Sequence, residues 1–240
     1  MRISLKSILL ASAVAGFATV GIAHAGAINF YGSPSALLTG TTPIAAVAGT
    51  TGNVTITATY PGAIVTGSVA DKYAAPITDA AGTAYSGPYF STGLTSDPSI
   101  SGSYSVSPTS NGTIDFTFGT SQSYLGLLWG SVDGQPNNEN VLSFYNGSTL
   151  LGSITGAEVA AAANVPATGV RTYGGSAYIN INVDGGFNEV VAGSQKVSFE
   201  FAAVTSSAQE IPVPEPGSLL LLGTGLLGLG LVVRSRQKRA

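Results

Sequence analysis

YININV, residues 178–183, alternates apolar and polar side chains along its whole length. Ile179, Ile181 and Val183 fall on one face of an extended chain, because successive side chains point to opposite sides of a strand. The same period of two recurs at residues 53–60, 113–118 and 196–201. These stretches predict half-buried β-strands with Thr, Ser and Asn on the sides that face solvent.

Turn signals separate the predicted strands. Asn146-Gly147 stands between apolar runs at residues 141–145 and 148–154 and predicts a β-hairpin, because Asn-Gly is preferred in two-residue hairpin loops. Asp184-Gly185-Gly186 predicts a second turn between two strands. The stretch TGAEVAAAA, residues 155–163, predicts one helix of about two turns, with a threonine cap and an acid in its first turn.

Short strands separated by turns, with almost no helix, predict an all-β fold for residues 26–210. A β-sandwich resembling a jelly roll is the architecture that fits this pattern best. A β-solenoid is the alternative, but the sequence lacks the fixed repeat that a solenoid requires.

The composition excludes several kinds of chemistry. The chain has 240 residues, no cysteine and one histidine, His24. Residues 26–210 therefore lack disulfides, thiolate nucleophiles, Ser-His-Asp hydrolysis and His- or Cys-ligated metals. The same residues carry three cations against eleven acids, a formal charge of −8. Because no basic patch is present to neutralise phosphates, we do not expect nucleic-acid binding.

Residues 1–25 have the three zones of a secretory signal peptide. Arg2 and Lys6 precede a short apolar run, and Ala23-His24-Ala25 stands before Gly26. Small residues at Ala23 and Ala25 predict cleavage by signal peptidase in front of Gly26. The alternative is an N-terminal membrane anchor, for which the apolar run is short.

Residues 211–239 also read as a targeting segment. Pro214-Glu215-Pro216 lies in a proline-rich stretch that is rigid and extended, because proline fixes its own φ angle and restricts its predecessor. A Gly-interrupted apolar run at residues 217–233 predicts a short transmembrane helix. The basic tail at residues 234–239 would keep its end on the cytoplasmic side.

These three parts, in this order, resemble the PEP-CTERM sorting signal of Gram-negative bacteria. The resemblance implies recognition of Pro214, Glu215 and Pro216 by exosortase, an integral-membrane protease-transpeptidase. It also implies an inner-membrane intermediate followed by delivery to the cell surface or the extracellular matrix, often beside exopolysaccharide and biofilm. It covers only this segment and leaves the activity of residues 26–210 open.

The only tryptophan, Trp129, ends an apolar strand and is followed by a polar loop at residues 133–140. An indole can stack on a sugar, and the oxygens of Asp133, Asn137 and Glu139 could bind hydroxyl groups or Ca²⁺. The alternative is a core tryptophan followed by an ordinary connection, since tryptophan is commonly buried and loops are rich in Asp and Asn. No other cofactor is predicted.

Two facing carboxylates would suffice for a glycosidase, and Asp133 with Glu139 or Asp184 with Glu189 are candidate pairs. Spacing along the chain cannot show a pair facing across a cleft, and among eleven scattered acids some pair will lie close by chance. We therefore expect no enzymatic activity and no catalytic residue. The sequence predicts an exported structural or adhesive protein of the envelope or biofilm matrix. A carbohydrate-binding module using Trp129 and the loop at 133–140 is the alternative.

Overall fold

The structure is a computed structural model that describes residues 28–33, 42–69, 73–93, 112–136, 139–169, 173–194 and 198–211. The strands within these residues are β1 (Ile28–Ser33), β2 (Gly49–Thr51), β3 (Val54–Thr59), β4 (Ala63–Val65), β5 (Tyr89–Ser91), β6 (Thr113–Trp129), β7 (Asn140–Asn146), β8 (Thr149–Thr155), β9 (Ala177–Ser194) and β10 (Glu200–Ser207). The helix is α1 (Gly156–Ala163), and a short 3₁₀ helix spans Tyr173–Gly175.

The described strands form one antiparallel sheet around the two longest, β6 and β9. Residues 114–117 of β6 pair with residues 189–192 of β9, and there β3 flanks β6 while β7 flanks β9. Residues 124–129 of β6 pair with residues 177–182 of β9, and there β10 flanks β6 while β1 flanks β9. We call these regions the β3 half and the β10 half. The outer strands β2 and β8 extend the β3 half, and β5 and β4 extend the β10 half.

The sheet bends between the two halves, where the register of β6 against β9 slips twice. Gly185 and Gly186 lie in this interval with positive φ angles of 79° and 77°. A Cβ on Gly186 would lie 2.3 Å from Ser121 Oγ of β6, so a larger residue does not fit without a shift. The prediction that residues 184–186 reverse the chain is therefore wrong, because β9 continues through them as one bent strand.

The core lies between the two halves. Phe116 of the β3 half contacts Phe90 and Phe201 of the β10 half, with ring centroids 5.1 and 6.1 Å apart. Phe187, next to the bend, packs edge-to-face against Phe118 and Phe144. Buried aromatic rings remove large apolar areas from water, so these contacts stabilise the folded-over sheet.

The predicted inward faces are confirmed. The alternating apolar residues of β6 and β9 are all buried: Ile114, Phe116, Phe118, Ile179, Ile181 and Val183. The predicted outward faces are correct only in part. Asn180, Asn182 and Glu200 are also buried, although each alternates with core residues. In the β10 half, further chain segments cover the second face of the sheet.

Two local predictions are confirmed. β7 and β8 form the predicted hairpin, with Asn146 opposite Thr149. The loop is Gly147-Ser148 and not the predicted Asn146-Gly147, because Asn146 still pairs in β7; Gly147, at the first loop position, has a φ of 59°, as a type II′ turn requires. The helix α1 is also present, with Thr155 as its N-cap and Glu158 completing a capping box.

The all-β class with one short helix is confirmed. A jelly roll contains two separate sheets, whereas the described strands form one sheet that is folded over. The predicted signal peptide and the apolar run at 217–233 lie outside the described residues. Among the residues that are described, no helix is long and apolar enough to cross a membrane.

Replacing Gly186 with alanine tests the bend. We expect Gly186→Ala to lower the free energy of unfolding by about 2–3 kcal/mol, because it combines an unfavourable φ with a collision. Gly185→Ala is the matched control, since its Cβ meets no atom within 4 Å, and it should cost only about 1 kcal/mol. Equal losses in denaturant titrations would show that the close approach of β6 to β9 is unimportant.

Candidate functional site

Trp129 lies in the core at the end of β6. Its side chain is 0% exposed, and its ring centroid is 4.3 Å from that of Phe199. A fully buried indole has no ring face available for a sugar. The structure therefore favours the core tryptophan over the stacking platform.

Asn140, at the start of β7, joins Trp129 to the polar loop. Its Oδ1 accepts hydrogen bonds from Trp129 Nε1 at 3.4 Å and from the Asp133 backbone N–H at 3.1 Å. Its own backbone N–H donates to the Asp133 carbonyl at 3.0 Å. The loop at 133–140 is thus closed at its base by a fully buried amide. The sequence placed Asn140 in this loop but gave no reason to single it out.

Asp133 is buried and connects three segments. Its carboxylate accepts from the Gln135 N–H at 3.3 Å, and its backbone pairs with Thr168. A Cβ on Gly156, the first residue of α1, would lie 2.0 Å from the Asp133 carbonyl oxygen. These contacts give Asp133 a structural role at the junction of β6, α1 and the 165–169 connection.

The other predicted ligand residues are Glu139 and Asn137. Glu139 is half-buried beside Asn140, and Asn137 lies outside the described residues. Within the described parts of the chain, no cluster of three or more His, Cys, Asp or Glu residues could hold a metal ion. Of the second candidate pair, Asp184 is exposed at the bend and Glu189 lies within the β3 half, opposite Thr117.

The sequence missed Glu200, whose carboxylate is 1% exposed at the start of β10. Its Oε2 accepts from Ser131 Oγ at 2.9 Å, and its Oε1 accepts from Ser198 Oγ and from the Ala74 N–H. Hydrogen bonds of this kind offset the cost of burying a carboxylate. Ser131 has a φ of 41°, a left-handed conformation that few non-glycine residues adopt. Glu200 therefore ties the ends of β6 and β10 to the segment around Ala74, which covers this end of the β10 half.

The sequence also missed a polar cluster on the outer face of the β10 half. Tyr124 Oη donates to Asn180 Oδ1 at 2.8 Å, and Tyr31 is the register partner of Asn180 on β1. Burial raises the pKa of Tyr124, and burial followed by the nearby Tyr124 raises the pKa of Tyr31 to about 12. Both phenols are therefore neutral at physiological pH.

Asn182 belongs to the same face and fixes the chain beyond β10. Its Nδ2 donates to the Ile211 carbonyl at 2.9 Å, and the Ile211 N–H donates to its Oδ1 at 3.2 Å. Ile211 is the first residue of the predicted targeting segment 211–239 and directly precedes Pro212. The predicted processing residues themselves, Pro214, Glu215 and Pro216 as well as Ala23, Ala25 and Gly26, lie outside the described residues.

The role of Asn140 can be tested by substitution. Asn140→Ala removes the acceptor of two buried donors, so we expect the free energy of unfolding to fall by about 2–4 kcal/mol. Asn188→Ala is the control: its Oδ1 accepts from the exposed Gly147 N–H, which water can replace, and the loss should be about 1 kcal/mol or less. Fluorescence of the single tryptophan reports both transitions. If Asn140→Ala leaves the free energy of unfolding unchanged, Asn140 does not hold the base of the 133–140 loop.

Comparison with known proteins gives one finding. Residues 212–237 match the family model described as the PEP-CTERM protein-sorting motif. No curated protein and no solved structure matches the chain. The matched residues lie within the predicted segment 211–239 and begin directly after Ile211, the last residue that the structure describes. The prediction from Pro214-Glu215-Pro216 is confirmed, because the chain carries a PEP-CTERM sorting motif at residues 212–237.

Proposed function

We propose that this protein is an exported, non-enzymatic component of the cell envelope or biofilm matrix. The PEP-CTERM motif carries the proposal, because it implies processing by exosortase and export across the membrane to the cell surface. In this scheme signal peptidase cuts between Ala25 and Gly26. The apolar run at 217–233, which the sequence predicts to be a membrane helix, then holds the precursor in the inner membrane until exosortase acts at Pro214-Glu215-Pro216.

The buried polar groups support a structural role for residues 26–210. Glu200 is a buried carboxylate whose hydrogen bonds join segments of the fold, and Asp133 is a buried residue whose backbone pairs with Thr168. Trp129 is likewise fully buried. Each of these groups is accounted for by packing, which favours a structural protein over a carboxylate-dependent hydrolase or a sugar-binding module. A sandwich made by folding one sheet is the architecture that we propose for the domain.

The outer face of the β3 half is the surface that we propose for adhesion. Thr57, Thr59 and Thr117 are exposed on it, and the hydroxyls of Thr50 and Thr55 lie 2.9 Å apart. Closely spaced hydroxyls can exchange hydrogen bonds with a hydrated polymer such as exopolysaccharide. The formal charge of −8 on residues 26–210 disfavours direct contact with an acidic polymer, unless divalent cations bridge the two.

Replacement of the motif tests the sorting route. In a host that has exosortase, the double substitution Glu215→Ala with Pro216→Ala should leave the precursor uncleaved and held in the membrane fraction. Glu210→Ala is the matched control, because it removes a nearby exposed glutamate outside the motif and should be processed normally. Immunoblots of membrane and surface fractions would distinguish the variants. Normal surface delivery of the double variant would refute the proposal.

A further inference from the structure

A short strap leads from the sheet to the sorting motif. β10 ends at Ser207, which pairs with Tyr124 of β6, and Tyr124 pairs on its other side with Asn182 of β9. The chain is next fixed at Ile211, on the Asn182 side chain. Asn182 points away from the core, because its neighbours Ile181 and Val183 are core residues. Residues 208–211 therefore cross β6 on the outer face of the β10 half.

The contact between Asn182 and Ile211 resembles one rung of a β-ladder. The side-chain amide both donates to and accepts from the same backbone residue, at 2.9 and 3.2 Å. Asn182 is only 8% exposed, so water competes poorly for these two bonds. We call this contact the clamp.

The clamp limits how far the sorting motif can extend from the folded domain. Glu215 is four residues beyond Ile211, and a fully extended chain spans at most about 14 Å over that length. Opening the clamp frees the chain back to Ser207 and adds about another 14 Å. A protease groove takes its substrate as an extended strand and has no room for a folded domain, so this added length decides how easily the motif can be engaged.

We infer that Asn182 is a positioning residue for sorting: it holds the tether short, and exosortase engages the motif of the folded precursor mainly when the clamp is open. The inference rests on the proposed function, because it concerns the access of exosortase to Pro214-Glu215-Pro216. Local opening of this kind controls a rate through the population of the open form.

Pulse–chase labelling of the full-length precursor in an exosortase-containing host measures the effect. Asn182→Ala removes both hydrogen bonds, which should raise the open population and the processing rate roughly tenfold. Inserting four Gly/Ser residues between Ile211 and Pro212 lengthens the tether without altering the clamp. It should accelerate processing to a similar extent. Asn188→Ala, a substitution elsewhere on β9, should leave the rate unchanged.

Combining the two changes separates positioning from simple destabilisation. If both act through tether length, Asn182→Ala should add little to the rate of the insertion variant; additive acceleration would overturn the inference. The insertion leaves every contact of the described fold in place. It therefore tests whether tether length controls the processing rate even if Asn182→Ala does not fold. A wild-type rate for the insertion variant would also overturn the inference. Normal processing of the Glu215 and Pro216 variant would instead refute the proposed function.

Discussion

Pairing between β6 and β9 is the constraint on which the rest of the structure depends. Each of these strands has one set of neighbours in the β3 half and another in the β10 half. The two halves face each other across an interval in which the register of the pair slips and Gly185 and Gly186 have positive φ angles. A bend of this kind combines a slipped register with residues that tolerate positive φ. It allows one sheet to enclose an aromatic core without a second sheet.

Bending also decides where the buried polar groups lie. The β10 half is covered on its outer face, so polar residues that alternate with core residues there need partners inside the protein. Asn180 receives the Tyr124 hydroxyl, Glu200 binds two serines, and Asn182 binds the backbone of Ile211. Such groups add little net stability, but each is costly to leave unpaired, so together they fix where the covering segments lie. The chain leaves the domain for the sorting motif at one of these contacts.

Side-chain alternation, turn preferences and capping preferences predict those parts of the fold that depend on residues close together in the sequence. Alternation placed Ile114, Phe116 and Phe118 in the core, and the hairpin at Asn146-Gly147 and the helix cap at Thr155 follow from turn and capping preferences. Residues 184–186 predict a turn and form a bend, because glycines with positive φ serve both purposes and only strand pairing distinguishes them. Glu200 and Asn182 were expected to face solvent. Their burial depends on residues distant in sequence, Ala74 and Ile211, which the alternation of a single strand does not reveal.

The central claim is that a folded all-β domain is exported and then separated from its targeting segments. Intact-mass spectrometry of the protein recovered from the cell surface tests this claim most directly. The account predicts a polypeptide that begins at Gly26 and lacks residues 217–240. Recovery of the uncut 240-residue chain, with both targeting segments still present, would contradict it.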